Sequence, residues 1–543
     1  MNCKKTAAFI AAVLFGVFSL LSLSGCRGNE NDDDPEKYRN KWFTSVIAGS
    51  PATLDPQTCT GDTAAQIVGN VFRGLYRRTD GGSVVPAMAE ECTVSDDGLE
   101  LTFRLSENVR WYGKDDFSAE CTADDFVFAF QRLFNPMLRS EHAAEYYCIK
   151  NAKEIHTGMI TDMSELGVKA AGKYELKITL TEPRSDIGVL LSAPPSMPCS
   201  REFYEQTEGQ YGLVGDCIGS NGFFYVSRWH YDKWVKDGNF IELRRNELNA
   251  EALDTTARGV TLMINADSCE SFLNGITDYL YTSDAEQVFK LSGKYNAYTY
   301  NGGVWGVLFN TRGVFESSDL RIALGSCVSS GDDSSIYTSA NGIIPQEACI
   351  GGIAYREAVG SPTRISYSES EVLERGTRAM RELEDGSLSG MKLMIPEGTS
   401  LRQSIGAVIQ QWQKNFGIYC TISEMPYSDY MSAVEGGNFD AAMVKLGGND
   451  ALSYITGFSA VSPRNYAGVD NRKLDDILNS ALTAKSSGSA ARYCLEAEQL
   501  VMDNCWFAPL CFETGYIFCA DGVRGVEYDT SCGGFIFGSA LKK

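Results

Sequence analysis

Apolar residues in this chain follow two kinds of pattern, one unbroken run at the start and then many short periodic stretches. Behind Lys4 and Lys5, Thr6 to Leu23 is almost continuously apolar. A positive start, a hydrophobic run and small residues at its end make a secretory leader over 1–25, although a run of this length could also just span a bilayer as an anchor. No later stretch is long and apolar enough to cross a membrane. Residues 26–40 have nothing to bury and read as a solvated tether. From there the periodic stretches begin. Trp42 to Ile47 has strand character, and Ile67, Val68, Val71, Phe72 and Leu75 have helical spacing that ends near Gly74. Leu101, Phe103 and Leu105 alternate with polar residues, as do Tyr174, Leu176, Ile178 and Leu180, so both stretches predict half-buried strands. Thr122 with Asp125 forms a capping box ahead of Phe126, Phe130, Leu133 and Phe134, and Asn135-Pro136 stops that helix.

The second half is more regular. Met391–Ile395 predicts a strand, then a helix with Ile405, Val408, Ile409, Trp412 and Phe416 on one face. A strand at Tyr419–Ser423, a helix near Ser428–Glu435 and a strand at Phe439–Val444 follow. That βαβαβ order predicts a parallel sheet covered by helices. Two further amphipathic helices are expected around Leu474–Ala484 and Arg492–Asp503.

Composition narrows the function. The chain has 543 residues, a formal charge of −22 and 44% hydrophobic residues, enough for a large core and about three to four domains. So negative a surface argues against nucleic acid or acidic lipid as a partner. Of seventeen cysteines, removal of Cys3 with the leader and of Cys26 to a lipid would leave fifteen; no C-x-x-C and no Cys/His cluster occurs, so no metal site is expected and disulfide pairing stays open. His142, His156 and His230 are the three histidines, and none sits in H-E-x-x-H. G-x-S-x-G and P-loop motifs are absent, and Ser539–Lys542 matches S-x-x-K without its companion motifs. The pattern is that of a protein that is not an enzyme and carries no cofactor.

Two resemblances set the expectations. Leu23-Ser24-Gly25-Cys26 resembles the lipobox of bacterial lipoproteins, which implies lipidation of Cys26 and a body held to the outer face of the cell membrane, or in the periplasm, through its N-terminal lipid only. The block from Asn70 to Pro136, with "LGVKAAGKYELKITLTEP", "IGSNGFFYVSRWHYDKWV", "VLFNTR", "YCLEAEQLVMDNCWFAPL" and "GVRGV" after it, resembles the peptide/oligopeptide extracytoplasmic solute-binding proteins of ABC importers. That likeness implies an α/β, two-lobe periplasmic-binding-protein-like clamshell of type II with an additional third domain. Lobe I would comprise 41–81, 207–302 and 508–543, the extra domain 82–206, and lobe II 303–507. A monomer would bind oligopeptides between the lobes and deliver them to a permease and ATPase complex. A non-peptide solute (a sugar or metal chelate) in the same fold, or a non-transport peptide sensor or adhesin, are the alternatives.

The resemblance also implies site residues. In the family an acidic residue of a Gly-Trp-x-x-Asp-Tyr stretch takes the peptide ammonium. Here Asp450 is the match, against a plain loop-capping aspartate, in a shortened Gly447–Ala451 loop where Gly448 stands in place of tryptophan and Asn449 precedes the acid. Tyr427 falls near a cleft tryptophan, His142 near a cleft tyrosine, and Phe512 near an aromatic after Ala508-Pro509. Trp305 could face the cleft, and Lys445 sits where the family can carry a cation for the ligand carboxylate. Core packing is the alternative for Phe512 and Trp305, and a solvated lysine for Lys445.

Overall fold

A computed structural model describes residues 40–543 except 80–83, 236, 250–254, 330–333, 335, 363–367, 384–387, 389, 449 and 530–533, and the side chain of residue 301. The leader, Cys26 and the tether up to residue 39 lie outside the described residues. Among the described residues no helix is long and apolar enough to cross a membrane.

Two large sheets organise the molecule. In the first, strand Lys41–Ile47 runs parallel to Ala257–Ile264, which pairs antiparallel with Phe240–Arg245, and that strand with Phe224–His230. In the second, the order is Thr421–Met425, Lys392–Pro396, Ala441–Leu446, Asn296–Phe309, Phe507–Cys519 and Tyr279–Thr282, with Tyr337–Ser339 also on Phe507–Cys519. The expected parallel unit is present: Lys392–Pro396 pairs in parallel with both Thr421–Met425 and Ala441–Leu446. Helix Arg402–Phe416 covers it because Ile405, Val408 and Trp412 share one face, and Trp412 also donates its indole N–H to the Leu324 carbonyl at 2.9 Å.

The segment 84–206 has its own four-stranded antiparallel sheet, in the order Ala89–Val94, Glu100–Leu105, Glu175–Thr179 and Val168–Gly172. Helix Ala123–Leu133 packs beside it, and Asp125 accepts from the Thr122 backbone N–H at 2.7 Å in the capping box. Burial pushes the Asp125 carboxyl up to about 6 despite those bonds. One hydrophobic core runs through this segment and the first sheet, from Phe43 to Ala540. The second sheet carries a separate core on each face, one containing Val304, Ala442 and Val444, the other Val307, Ala441 and Met443.

The helix expected to end near Gly74 is shorter, Asp62–Val71. Phe72 is already extended, because Asn221 accepts from the Arg73 N–H at 2.9 Å and donates to the Arg73 carbonyl at 2.9 Å, pulling the chain out of the helix. Helix Ser487–Asp503 brings Glu498 into the core with no exposed surface. That carboxylate accepts from the Ile343 and Ile344 N–H groups (2.8 and 2.9 Å), from Tyr355 Oη (3.1 Å) and from both terminal nitrogens of Arg356 (2.8 and 2.6 Å). Burial pushes the Cys59, Cys199 and Cys511 thiols up to about 12, so they pack as small apolar groups.

Candidate functional site

The strands Asn296–Phe309 and Phe507–Cys519 carry the chain from one half of the molecule to the other. Their outer parts pair beside Tyr279–Thr282, and their inner parts beside Ala441–Leu446. The register slips between Asn301 and Gly303, and again between Trp305 and Gly306. Gly303 has φ +116, and a Cβ there would sit 2.6 Å from the Leu446 carbonyl oxygen, so the crossing demands glycine.

At this crossing Trp305 and Lys445 are cross-strand neighbours, and they meet on Glu513. Trp305 donates its indole N–H to Glu513 Oε2 at 2.7 Å, and Lys445 Nζ lies 2.7 Å from Oε1. The carboxylate is buried (6% of its side chain exposed), whereas Lys445 keeps 35%. The ammonium that the family likeness offers to a ligand carboxylate is therefore already bound to a carboxylate of the chain itself. Pattern reading missed Glu513; the available signal was one charged residue inside the largely apolar strand Phe507–Cys519.

Phe512 faces the other way. It packs with Val304 on one face of the sheet, while Trp305 packs on the opposite face, as alternation along a strand requires. Tyr427 opens helix Tyr427–Glu435 with 67% of its surface exposed and its ring centroid 6.1 Å from that of Tyr430. His142 serves a different contact, with Nε2 2.8 Å from the Cys59 carbonyl oxygen and Nδ1 3.4 Å from Glu145. The Glu145 carboxylate is the main cause that raises its pKa.

Asp450 and Gly448 meet on Ser453. Asp450 Oδ1 accepts from the Ser453 N–H at 2.9 Å and from its Oγ–H at 2.5 Å. A Cβ on Gly448 would lie 2.5 Å from Ser453 Cβ, which leaves no space for a tryptophan on this backbone. Asn449 lies outside the described residues. Asp450 is 6% exposed, and its side-chain hydrogen bonds among the described residues both come from Ser453. Burial is the largest cause that raises its pKa; the Ser453 bonds oppose it, the charge of Asp186 adds to it, and the charge of Arg78 opposes it weakly. Asp186 and Arg78 belong to the first half of the sequence, so charges from both halves of the sequence act on Asp450.

Comparison with known proteins agrees with this architecture. Residues 83–329 match the family model described as bacterial extracellular solute-binding proteins, family 5 Middle. A dipeptide-binding protein of Lactococcus lactis is 23% identical, covering 96% of this chain and 97% of its own length. The oligopeptide-binding protein OppA of Bacillus subtilis is likewise 23% identical over 96% of this chain. Among solved structures, Listeria monocytogenes OppA bound to peptide superposes over 93% of this chain and 99% of its own, with a TM-score of 0.69 at 18% identity. The unliganded open form of the periplasmic murein tripeptide-binding protein MppA superposes over 93% of this chain and 97% of its own, with a TM-score of 0.71 at 21% identity. These likenesses give the fold as the two-lobe α/β clamshell of solute-binding proteins.

Proposed function

We propose that the chain, whose residues 83–329 match the family model of bacterial extracellular solute-binding proteins, family 5 Middle, is the substrate-binding component of an ABC importer, holding oligopeptides between two lobes and delivering them to a permease and ATPase complex. Lobe I is read as 41–81, 207–302 and 508–543, lobe II as 303–507, and 82–206 as the added domain. The body works outside the cytoplasm, tethered through residues 26–40 and a lipid on Cys26. The observation that carries the peptide reading is the buried Asp450 carboxylate, hydrogen-bonded to Ser453 alone among the described residues. A buried charge needs a partner, and a peptide ammonium supplies one. Strand-like pairing would serve the ligand main chain and hydrated pockets its side chains, so that sequence is read loosely.

Native mass spectrometry of protein purified without refolding tests this. A ladder of peptide masses is expected, and a single non-peptide mass would overturn it. Calorimetry with tri-alanine tests the anchor: Asp450→Asn should weaken binding by about 3 kcal/mol, the scale of losing one partner of a buried charge pair. An unchanged dissociation constant rejects Asp450 as the amine site.

A further inference from the structure

Helix Arg472–Leu482 closes with the Thr483 N–H on the Asn479 and Ala481 carbonyls, and the last carbonyls of a helix remain open to further partners from outside it. Two of them are taken by a residue 296 positions away along the chain. Ser185 donates its backbone N–H to the Leu482 carbonyl at 2.7 Å and its Oγ–H to the Ala481 carbonyl at 2.8 Å. Ser185 lies in the turn that opens helix Ile187–Leu190, far from the second sheet in sequence. The turn is stiffened from both sides. Arg184 grips Asp186 through two parallel hydrogen bonds of 2.7 and 2.6 Å, and Pro183 packs against Gly98, where an added Cβ would lie 3.2 Å from the proline ring.

We propose that the turn Arg184–Ser185–Asp186 is a latch that holds the closed clamshell shut by capping the end of helix Arg472–Leu482. This rests on the two-lobe reading above and adds a specific device to it. A hinge at the crossing strands lets the halves part, but the energy that keeps them together must come from contacts made only when closed. Ser185 joins the 82–206 segment to helix Arg472–Leu482 by two hydrogen bonds, and the latch takes these as contacts of the closed state.

Hydrogen exchange on the full mature chain, with small-angle scattering in parallel, tests this without assuming any ligand. In the native protein the Ser185 amide should be protected. In Ser185→Ala, exchange over 185–190 and 481–486 should rise about twofold to tenfold, the scale of one lost hydrogen bond, with the sheet of Lys41–Ile47 unchanged. The radius of gyration should shift toward the open form, and Ser185→Thr, which keeps the hydroxyl, should restore both readings. An unprotected Ser185 amide in the native protein, or faster exchange with no change in scattering, overturns the latch. Tri-alanine then separates the two proposals. A faster off-rate at unchanged on-rate in Ser185→Ala supports the latch, while no binding by the native protein counts against the peptide reading and leaves exchange and scattering to decide the latch.

Discussion

Glu498 and Asp450 are buried carboxylates that line the same core on one face of the second sheet, yet they are treated differently. Glu498 receives five hydrogen bonds, from two backbone N–H groups, a tyrosine and both arms of Arg356. Its charge is neutralised and its lone pairs are filled, and it ties the segment around Ile343 and Tyr355 to helix Ser487–Asp503. Among the described residues Asp450 receives two, both from Ser453, on a single oxygen. Burial alone therefore does not tell whether the fold has used up an acid or left it room for another partner. What distinguishes the two carboxylates is the hydrogen-bonding capacity left over after the fold has taken its share. Glu513 stands between the two, satisfied by Trp305 and Lys445 but on a cation still partly in solvent.

The comparison breaks most visibly at Arg356. Arg356→Met leaves Glu498 charged, buried and without its cation, and should cost about 3–5 kcal/mol of stability. Urea unfolding with Trp fluorescence measures it, and peptide affinity per folded molecule should not change. A loss below about 1 kcal/mol would show that Glu498 is not held by this pair.

Much of this contrast could not be read along the chain. The βαβαβ unit was legible because each helix shows one apolar stripe, as Ile405, Val408 and Trp412 do, and each strand is short and bounded. The crossing strands were not, because Tyr300-Asn301-Gly302-Gly303 interrupts any alternation and Asn296–Phe309 is defined by its partners on both sides. The helical spacing runs past Phe72 because Asn221, which ends the helix, lies 148 residues downstream. Only the family likeness points to Asp450, and Ser453, which defines its surroundings, has no signature of its own. Lys445 looked like an available cation until Glu513 was brought beside it.

A second effect, smaller at any one pH, concerns ligand affinity. Asp450 titrates above the usual carboxylate range, and only its ionised form attracts an ammonium. Lowering the pH into that raised range should weaken tri-alanine binding, by up to about tenfold for each pH unit below the pKa. The Asp450→Asn protein should show a flat profile over the same window. Calorimetry between pH 4 and pH 7.5 checks both, and a native profile as flat as the variant's would place the amine elsewhere.

The smallest effect has the opposite sign, which makes it the sharpest test of the contrast with Glu498. The folded pKa of Asp450 lies above its unfolded value, so the folded state holds the proton more tightly and stability falls as the pH rises from the unfolded pKa through the folded one. Above that window the empty native protein carries the full cost of an unmatched buried charge. Asparagine keeps an oxygen that can accept from Ser453 and removes the charge. Unliganded Asp450→Asn should therefore unfold within about 1 kcal/mol of the native protein at pH 7.5, on the stabilised side, and the gap should narrow as the pH is lowered and the buried carboxyl takes up its proton. Paired urea titrations at pH 7.5 and at lower pH read the difference directly. A variant destabilised on the scale expected for Arg356→Met would make Asp450 a structural acid like Glu498 and remove the physical reason for a ligand amine there.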